Sequence, residues 1–168
     1  MNGRLWYPQL DAYDAVRRMA LLLYAWPSNA PGLERFFISD FYLANPPLLH
    51  KTSMTAQVRA EFSKLEVPRP DKTFLSFPMP PLLFHKMEPI QKQALQALLG
   101  KGIVGAPEYK RGSVVLTPFG KDFVKAELSE ETTELEGKLL PFLTTHFASL
   151  GEGSTADLRR RTGLRRFA

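Results

Sequence analysis

The 168-residue chain contains no cysteine, which excludes disulfide bridges, thiol nucleophiles, and zinc or iron–sulfur sites built on cysteine ligands. Long apolar runs are also lacking. The longest, residues 19–26, has eight residues, whereas a membrane-spanning helix needs about 20. Pro8, Asp11 and Asp14 interrupt the N-terminal stretch, which is therefore not expected to be a secretory leader. These absences favour a cytoplasmic protein.

Motifs that would indicate catalysis or metal binding are lacking too. The three histidines, His50, His85 and His146, are far apart in the sequence and have no metal-ligand spacing. Residues 100–102 lack the length and the Gly-Lys-Ser/Thr ending of a phosphate-binding loop, and no Gly-x-Ser-x-Gly motif occurs. We therefore predict that the chain is not an enzyme and that it binds no cofactor and no metal.

The composition supports a packed core and a modest basic charge. Hydrophobic residues make up 44% of the chain, close to the globular average of about 45–50%. The 22 Lys and Arg residues outnumber the 17 Asp and Glu residues and give a net charge of +5, which permits contact with nucleic acid or an acidic partner. By segment, the net charge is +1 for residues 1–67, +5 for 68–125, −5 for 126–152 and +4 for 153–168.

Apolar residues recur at helical spacing in the first 67 residues and predict three helices, at 12–25, 33–45 and 55–65. Asp11 is positioned to cap the first of them. The first two helices are apolar around almost their whole circumference, which indicates that they are central in the fold or are covered by a partner. The residues that we predict to bind a partner here are Trp26, Phe37 and Phe41.

Asp40 lies within the second of these apolar helices. A catalytic carboxylate would need a second acid or base close by in sequence or in space, and none is evident. We therefore interpret Asp40 as a carboxylate that either caps a neighbouring helix or pairs with an arginine.

A proline-rich stretch follows at residues 67–89, where six prolines are expected to prevent a long helix. Its phenylalanines and leucines distinguish it from a solvated linker. We predict an extended segment that lies in a groove of this chain or of a partner, with Phe74 and Phe77 as partner contacts.

Residues 89–125 predict a helix, a short strand, a basic hairpin and a second helix. The first helix ends at Gly100 and Gly102, the hairpin tip is residues 109–112, and Thr117 caps the second helix. This order resembles the second half of a winged helix-turn-helix domain. The fold class expected is therefore mainly α with a small β-hairpin wing. The residues that carry the resemblance are Leu98, Gly102, Ile103, Val104, Leu116, Thr117 and Gly120.

A winged helix that binds DNA would place Gln91, Lys92 and Gln96 in the groove. It would also bring Lys110 and Arg111, at the wing tip, to phosphate. Many winged helices are instead scaffolds that bind proteins. The basic C-terminal tail is expected either to be disordered or to contact nucleic acid nonspecifically. The tail residues assigned to DNA contact are Arg159, Arg160 and Arg161.

We divide the chain into an N-terminal helical part at 1–67, the proline-rich segment with the winged-helix half at 68–125, and C-terminal helices with the basic tail at 126–168. The first two parts are expected to pack as one domain. In the third, a helix to about residue 149 should either kink at Pro141 or give way there to a new helix, and Ser154 should cap a short last helix. Its acidic run is either a solvated face or a docking surface for a basic partner.

The N-terminal half contains a series of short, mainly hydrophobic motifs: Tyr7-Pro8, then residues 10–15, Leu33-Glu34-Arg35, residues 38–43 and residues 46–49. Together they resemble the small middle components of bacterial three-component ABC defence systems with SMC-like ATPases, of which Lamassu is one. The similarity spans about residues 10–125.

The resemblance implies a non-enzymatic winged-helix subunit between an SMC-like or Rad50-like ABC ATPase and an effector, often a nuclease. Such a subunit would restrain or license the effector in bacterial antiphage or anti-plasmid defence. The partners expected are the ATPase, the effector and, nonspecifically, double-stranded DNA, but no membrane. The alternative is a winged-helix transcriptional regulator that dimerises and binds one palindromic site through Gln91 and Lys92.

Overall fold

The structure, a computed structural model, describes residues 7–27, 29–72 and 79–166. These residues form eight α-helices, joined by 3-10 turns and by a π-helical turn at Val124–Leu128. None of the helices described is long and apolar enough to span a membrane. The helices are α1 (Ala12–Ala25), α2 (Leu33–Ala44), α3 (Ala56–Ser63), α4 (Pro80–Gly100), α5 (Ala106–Lys110), α6 (Pro118–Phe123), α7 (Glu134–Thr144) and α8 (Thr155–Thr162).

Helix α1 is central because its apolar residues surround the helix instead of forming one stripe. It packs along α4 and also contacts α2 and α7. Its predicted bounds and its predicted cap are confirmed: Asp11 Oδ1 accepts hydrogen bonds from the backbone N–H groups of Tyr13 and Asp14, at 2.8 and 3.1 Å. Its buried residues are Ala15, Arg18, Met19, Ala20, Leu21, Leu22 and Leu23.

Buried apolar side chains from α1 to α4, α7, α8 and the loops between them form one continuous cluster. Aromatic contacts cross this cluster. The rings of Phe41 and Phe84 meet edge-to-face with their centroids 5.6 Å apart, and the ring centroids of Phe62 and Phe142 are 5.7 Å apart. Residues from all three predicted parts of the chain therefore contribute to the same core. The three-part division itself stays a prediction.

Helix α4 begins at Pro80, so the prediction that the extended segment continues to Pro89 is wrong. Pro80 and Pro81 occupy the first turn, where backbone N–H groups have no partner within the helix and proline loses nothing. Pro89 lies inside the helix and removes one hydrogen bond. Burial of Leu83 and neighbouring apolar side chains keeps the helix continuous in spite of that loss. Residues 73–78, with Phe74 and Phe77, lie outside the described part of the chain.

The β-hairpin wing is absent from the described residues, and that part of the predicted fold class is wrong. Two isolated antiparallel bridges occur, Val104 with Leu116 and Gly32 with Ser113. Beyond the first bridge the chain turns into α5, whose first turn contains Pro107, a residue that cannot donate to a strand ladder. The return segment pairs on both sides, but only at single bridges: the Gly105 N–H donates to the carbonyl of Val115 at 3.0 Å, and the Val114 N–H donates to the carbonyl of Pro31 at 3.0 Å. The predominance of helix is confirmed.

The C-terminal segment packs on the core. Ser154 caps α8 as predicted, with its Oγ accepting from the N–H of Asp157 at 3.1 Å. Leu158 and Leu164 are buried in the common core. The Ser53 N–H donates to the carbonyl of Arg161 at 2.8 Å and joins this segment to the loop before α3. Helix α8 is therefore part of the packed structure.

Candidate functional site

A buried ion pair joins α1 to α2. Arg18 is 2% exposed and Asp40 is fully buried. The Arg18 guanidinium donates to both carboxylate oxygens of Asp40, from Nε at 2.9 Å and from Nη2 at 3.3 Å. Burial lowers the pKa of Arg18, but the carboxylates of Asp40 and Asp14 outweigh it and hold the pKa above its ordinary value. The prediction that Asp40 pairs with an arginine is confirmed.

The network continues from Arg18 toward α7. Arg18 Nη1 donates to Asp14 Oδ2 at 2.6 Å, and Asp14 Oδ1 accepts from Arg17 Nη2 at 2.9 Å. Arg17 Nη1 then donates to Glu136 Oε2 at 2.7 Å. The hydrogen bond with Glu136 is the main cause that raises the pKa of Arg17, with Asp14 adding to it against the effect of burial. Two arginines of α1 thereby fix the positions of α2 and α7 relative to α1.

Gln91 extends the network in the other direction, and its placement corrects the expectation that it faces a DNA groove. The side chain is fully buried. Its Nε2 donates to the carbonyl of Phe37 at 2.9 Å and to Asp40 Oδ2 at 3.0 Å, while its Oε1 accepts from Arg166 Nη2 at 2.7 Å. Gln91 is therefore inaccessible to nucleic acid and connects α4 to α2.

Arg166 closes the network at the C-terminal end of the described chain. Its guanidinium lies 3.6 Å from the ring centroid of Phe84, over the ring face, and Nη1 also donates to the Phe84 carbonyl. Its Nε is 3.4 Å from Glu88 Oε2. The network therefore runs across α7, α1, α2 and α4 to the segment after α8.

Replacing Arg166 with alanine is expected to lower the free energy of unfolding by about 2 kcal/mol, because Gln91 Oε1 loses its partner and the cation–π contact disappears. Arg166→Lys should recover only part of the loss, since a lysine ammonium lacks the planar guanidinium that donates to Gln91 while it stacks on Phe84. Urea unfolding followed by circular dichroism measures both changes. The control is Arg160→Ala, which removes an arginine from an exposed ion pair on α8. Equal midpoints for Arg166→Ala and Arg160→Ala would contradict the prediction.

Of the aromatic residues predicted to bind a partner, the structure describes three, and two of these are inside the fold. Phe37 and Phe41 are buried in the core cluster, and the carbonyl of Phe37 accepts from Gln91. Trp26, the C-cap of α1, is half-buried and lines a cleft of about 410 Å³ together with Arg35. The apolar circumference of α1 and α2 is accordingly used for the core of this chain.

The predicted DNA-contact residues on α4 and α5 are exposed, Gln91 excepted. Lys92 pairs with Glu88 at 2.7 Å, one helical turn away. Lys110 and Arg111 lie at the end of α5 instead of at a hairpin tip, and neither makes an ion pair with the described part of the chain. DNA contact through these residues stays a prediction.

The arginines of α8 have acidic partners. Arg159 Nη2 donates to Glu34 Oε2 at 2.7 Å and links α8 to α2. Arg160 and Arg161 both pair with Asp157. These ion pairs reduce the positive charge that α8 presents to a polyanion, and DNA contact by the three arginines stays a prediction.

The network can orient helices, and its central carboxylate is closed to a substrate. Asp40 is saturated by Arg18 and Gln91 in the interior. Across residues 7–27, 29–72 and 79–166, no group of three or more histidine or carboxylate side chains is placed to hold a metal ion.

Only part of this network has a local signal in the sequence. Asp14 and Arg18 are four residues apart on one helix, a spacing typical of ion pairs. Arg18 and Asp40 are 22 residues apart and Gln91 and Arg166 are 75 apart, so no local pattern predicts that they meet.

Comparison with models of protein families matches residues 4–168 to the family described as ABC-three component (ABC-3C) system Middle Component 5. Neither a search of curated proteins nor a search of solved structures gave a significant match. The family match covers nearly the whole chain, including all eight helices.

Proposed function

The chain belongs to the Middle Component 5 family of ABC-three component systems, and from this we propose that it is the accessory subunit that links the ABC ATPase of such a system to an effector protein. The observation that carries the proposal is the family match, which spans residues 4–168. Membership of a three-component system implies that the subunit acts together with an ABC ATPase.

The structure of the chain supports a role in assembly. Its most extensively paired ionised side chains are buried or half-buried, and they hold α1, α2, α4 and α7 together. Such a network suits a rigid body that keeps its shape while partners bind to it. We propose that the subunit is non-enzymatic and that the chemistry of the system belongs to the other components.

The finer form of the proposal concerns the partners and the biological role. We propose an ATPase of the SMC or Rad50 type and an effector with nuclease activity, as the resemblance to Lamassu-like defence systems implies. The system would then act against phages or plasmids, with the middle subunit restraining the effector until the ATPase senses foreign DNA. The alternative of a transcriptional regulator depended on a β-hairpin wing, which the described part of the chain does not contain.

Co-expression with the products of the two neighbouring genes tests the proposal. We expect an affinity-tagged form of this chain to elute with an ABC ATPase at fixed stoichiometry in size-exclusion chromatography with light scattering. Deletion of the gene should abolish protection in a phage plaque assay. A stable monomer that binds neither neighbouring protein, together with unchanged protection on deletion, would overturn the proposal.

A further inference from the structure

A groove of about 400 Å³ lies between the first half of α1 and the segment formed by α6 and the π-helical turn. Its volume is in the range of sites that accept small molecules or several side chains of a peptide. Of the residues in the ion-pair network described above, Asp14 and Arg17 line this groove. The residues that line it are Asp11, Tyr13, Asp14, Val16, Arg17, Phe123, Leu128 and Glu131.

The floor of the groove is apolar and its rim carries an exposed aromatic ring. Val16, Phe123 and Leu128 are partly buried and pack against the core cluster from outside. Tyr13 is 90% exposed, although it belongs to the first turn of a well-capped helix. A tyrosine beside a half-buried apolar floor is typical of the centre of a protein-binding site. Phe119, also largely exposed, lies one helical turn before Phe123.

The charge around this floor is negative. Of the carboxylate residues that line the groove, Asp14 is paired with Arg17 and Arg18, and Arg17, the one arginine in the lining, is paired with Asp14 and Glu136. Glu131 makes no side-chain ion pair with any residue that the structure describes. Glu127 and Glu130, next to it along the chain, are exposed. The groove therefore has an apolar floor and one acidic edge, formed by Glu131 with Glu127 and Glu130.

We infer that this groove binds a short basic segment with an apolar anchor, contributed by the ABC ATPase or the effector of the same system. The anchor would fill the floor beside Tyr13, and Lys or Arg side chains flanking it would face Glu131 and its acidic neighbours. Nucleic acid does not fit this site, because the carboxylates would repel phosphate. The inference rests on the proposed function and adds the surface and the chemistry of one contact.

Binding measurements with matched variants test the inference. The probes are the two purified partner components and an array of overlapping 15-residue peptides from their sequences. Tyr13→Ser removes the exposed ring, and Glu131→Lys reverses one edge charge. The controls are Tyr24→Ser, on the far end of α1 and 44% exposed, and Glu152→Lys, which makes the same charge change beside a different cleft.

We expect each groove variant to weaken binding of the partner about tenfold or more, with unfolding midpoints unchanged, and each control to stay within about twofold. Bound peptides should be basic with an apolar residue. A Lys→Glu change in the bound peptide should restore binding to Glu131→Lys. Affinity for the wild-type chain should fall as salt rises.

The possible failures are distinct. If a partner binds the groove variants as well as the wild-type chain, the groove assignment fails and the proposed function stands. If the wild-type chain binds neither component, the proposed function fails with it. A dimer that only the groove variants dissociate would show that a second copy occupies the groove, and preferred binding of acidic peptides or duplex DNA there would equally overturn the inference.

Discussion

Replacing Asp40 with alanine is expected to lower the free energy of unfolding by about 3–5 kcal/mol. The substitution leaves the Arg18 guanidinium in the interior with only Asp14 as a carboxylate partner and removes one acceptor of Gln91 Nε2. A buried guanidinium that loses one of its two carboxylate partners is destabilised by more than the lost hydrogen bonds. At a urea m-value of about 2 kcal/mol/M, the unfolding midpoint should fall by about 1.5–2.5 M.

Urea unfolding monitored by circular dichroism and by tryptophan fluorescence measures this change, and coincidence of the two signals tests two-state behaviour. Glu61→Gln is the matched control, because it neutralises a carboxylate in the exposed ion pair with Lys64. It is expected to leave the midpoint unchanged. A loss for Asp40→Ala no larger than that for the control would show that the interior pair does not stabilise the fold.

A double variant separates the energy of the pair from the cost of an orphaned charge. Arg18→Met with Asp40→Leu replaces both charges by apolar side chains, an exchange that is often neutral or stabilising in buried pairs. We therefore expect the double variant to be more stable than Asp40→Ala alone. If it is as unstable as the single variant, the network contributes through its geometry and its links to Asp14 and Gln91.

Gly120→Ala and Gly137→Ala are expected to change stability in opposite directions, although both glycines lie within helices. A Cβ atom at Gly120 would lie 2.2 Å from the carbonyl oxygen of Ile103 and 3.0 Å from its carbonyl carbon. That oxygen also accepts the Thr117 N–H at 2.9 Å, so α6 cannot move away without losing this bond. We expect a loss of about 3 kcal/mol.

A Cβ atom at Gly137 meets nothing within 4 Å, and the position is exposed on α7. Alanine there should stabilise the chain by up to about 1 kcal/mol, because it lowers the conformational entropy of the unfolded chain and favours helix. Thermal and urea unfolding of the two variants measure the expected loss of stability for Gly120→Ala and the expected gain for Gly137→Ala. Equal effects at the two positions would contradict the close approach of α6 to residue 103.

The sequence by itself determined the features that depend on neighbours along the chain. The bounds of α1 and the caps at Asp11, Thr117 and Ser154 were predicted correctly, because capping and apolar periodicity act within a few residues. It also limited Asp40 to two structural roles, a helix cap or the partner of an arginine, since a carboxylate in an apolar helix requires a compensating group. The identity of that arginine could not be predicted, because 22 residues separate the partners.

The tertiary structure decided which local tendencies were overridden. Residues 103–104 and 113–116 have the composition of strands, yet an isolated two-stranded ribbon is at best marginally stable in water. Here the pairing between the two segments stops at the Val104–Leu116 bridge, because α5 begins at Ala106 and Val114 donates to the carbonyl of Pro31. Likewise, Pro89 is held inside α4 because burial of apolar side chains outweighs the lost hydrogen bond.

Burial of polar residues was decided by the same long-range contacts. Gln91 has the polarity of a surface residue, and it is interior because Phe37, Asp40 and Arg166 together satisfy its amide. Those three partners come from distant parts of the chain and meet only after the helices have packed. The local sequence determined which segments are helical. The tertiary structure determined which polar groups are buried, because the desolvation cost of a polar group is offset only where its hydrogen-bond partners come together around it.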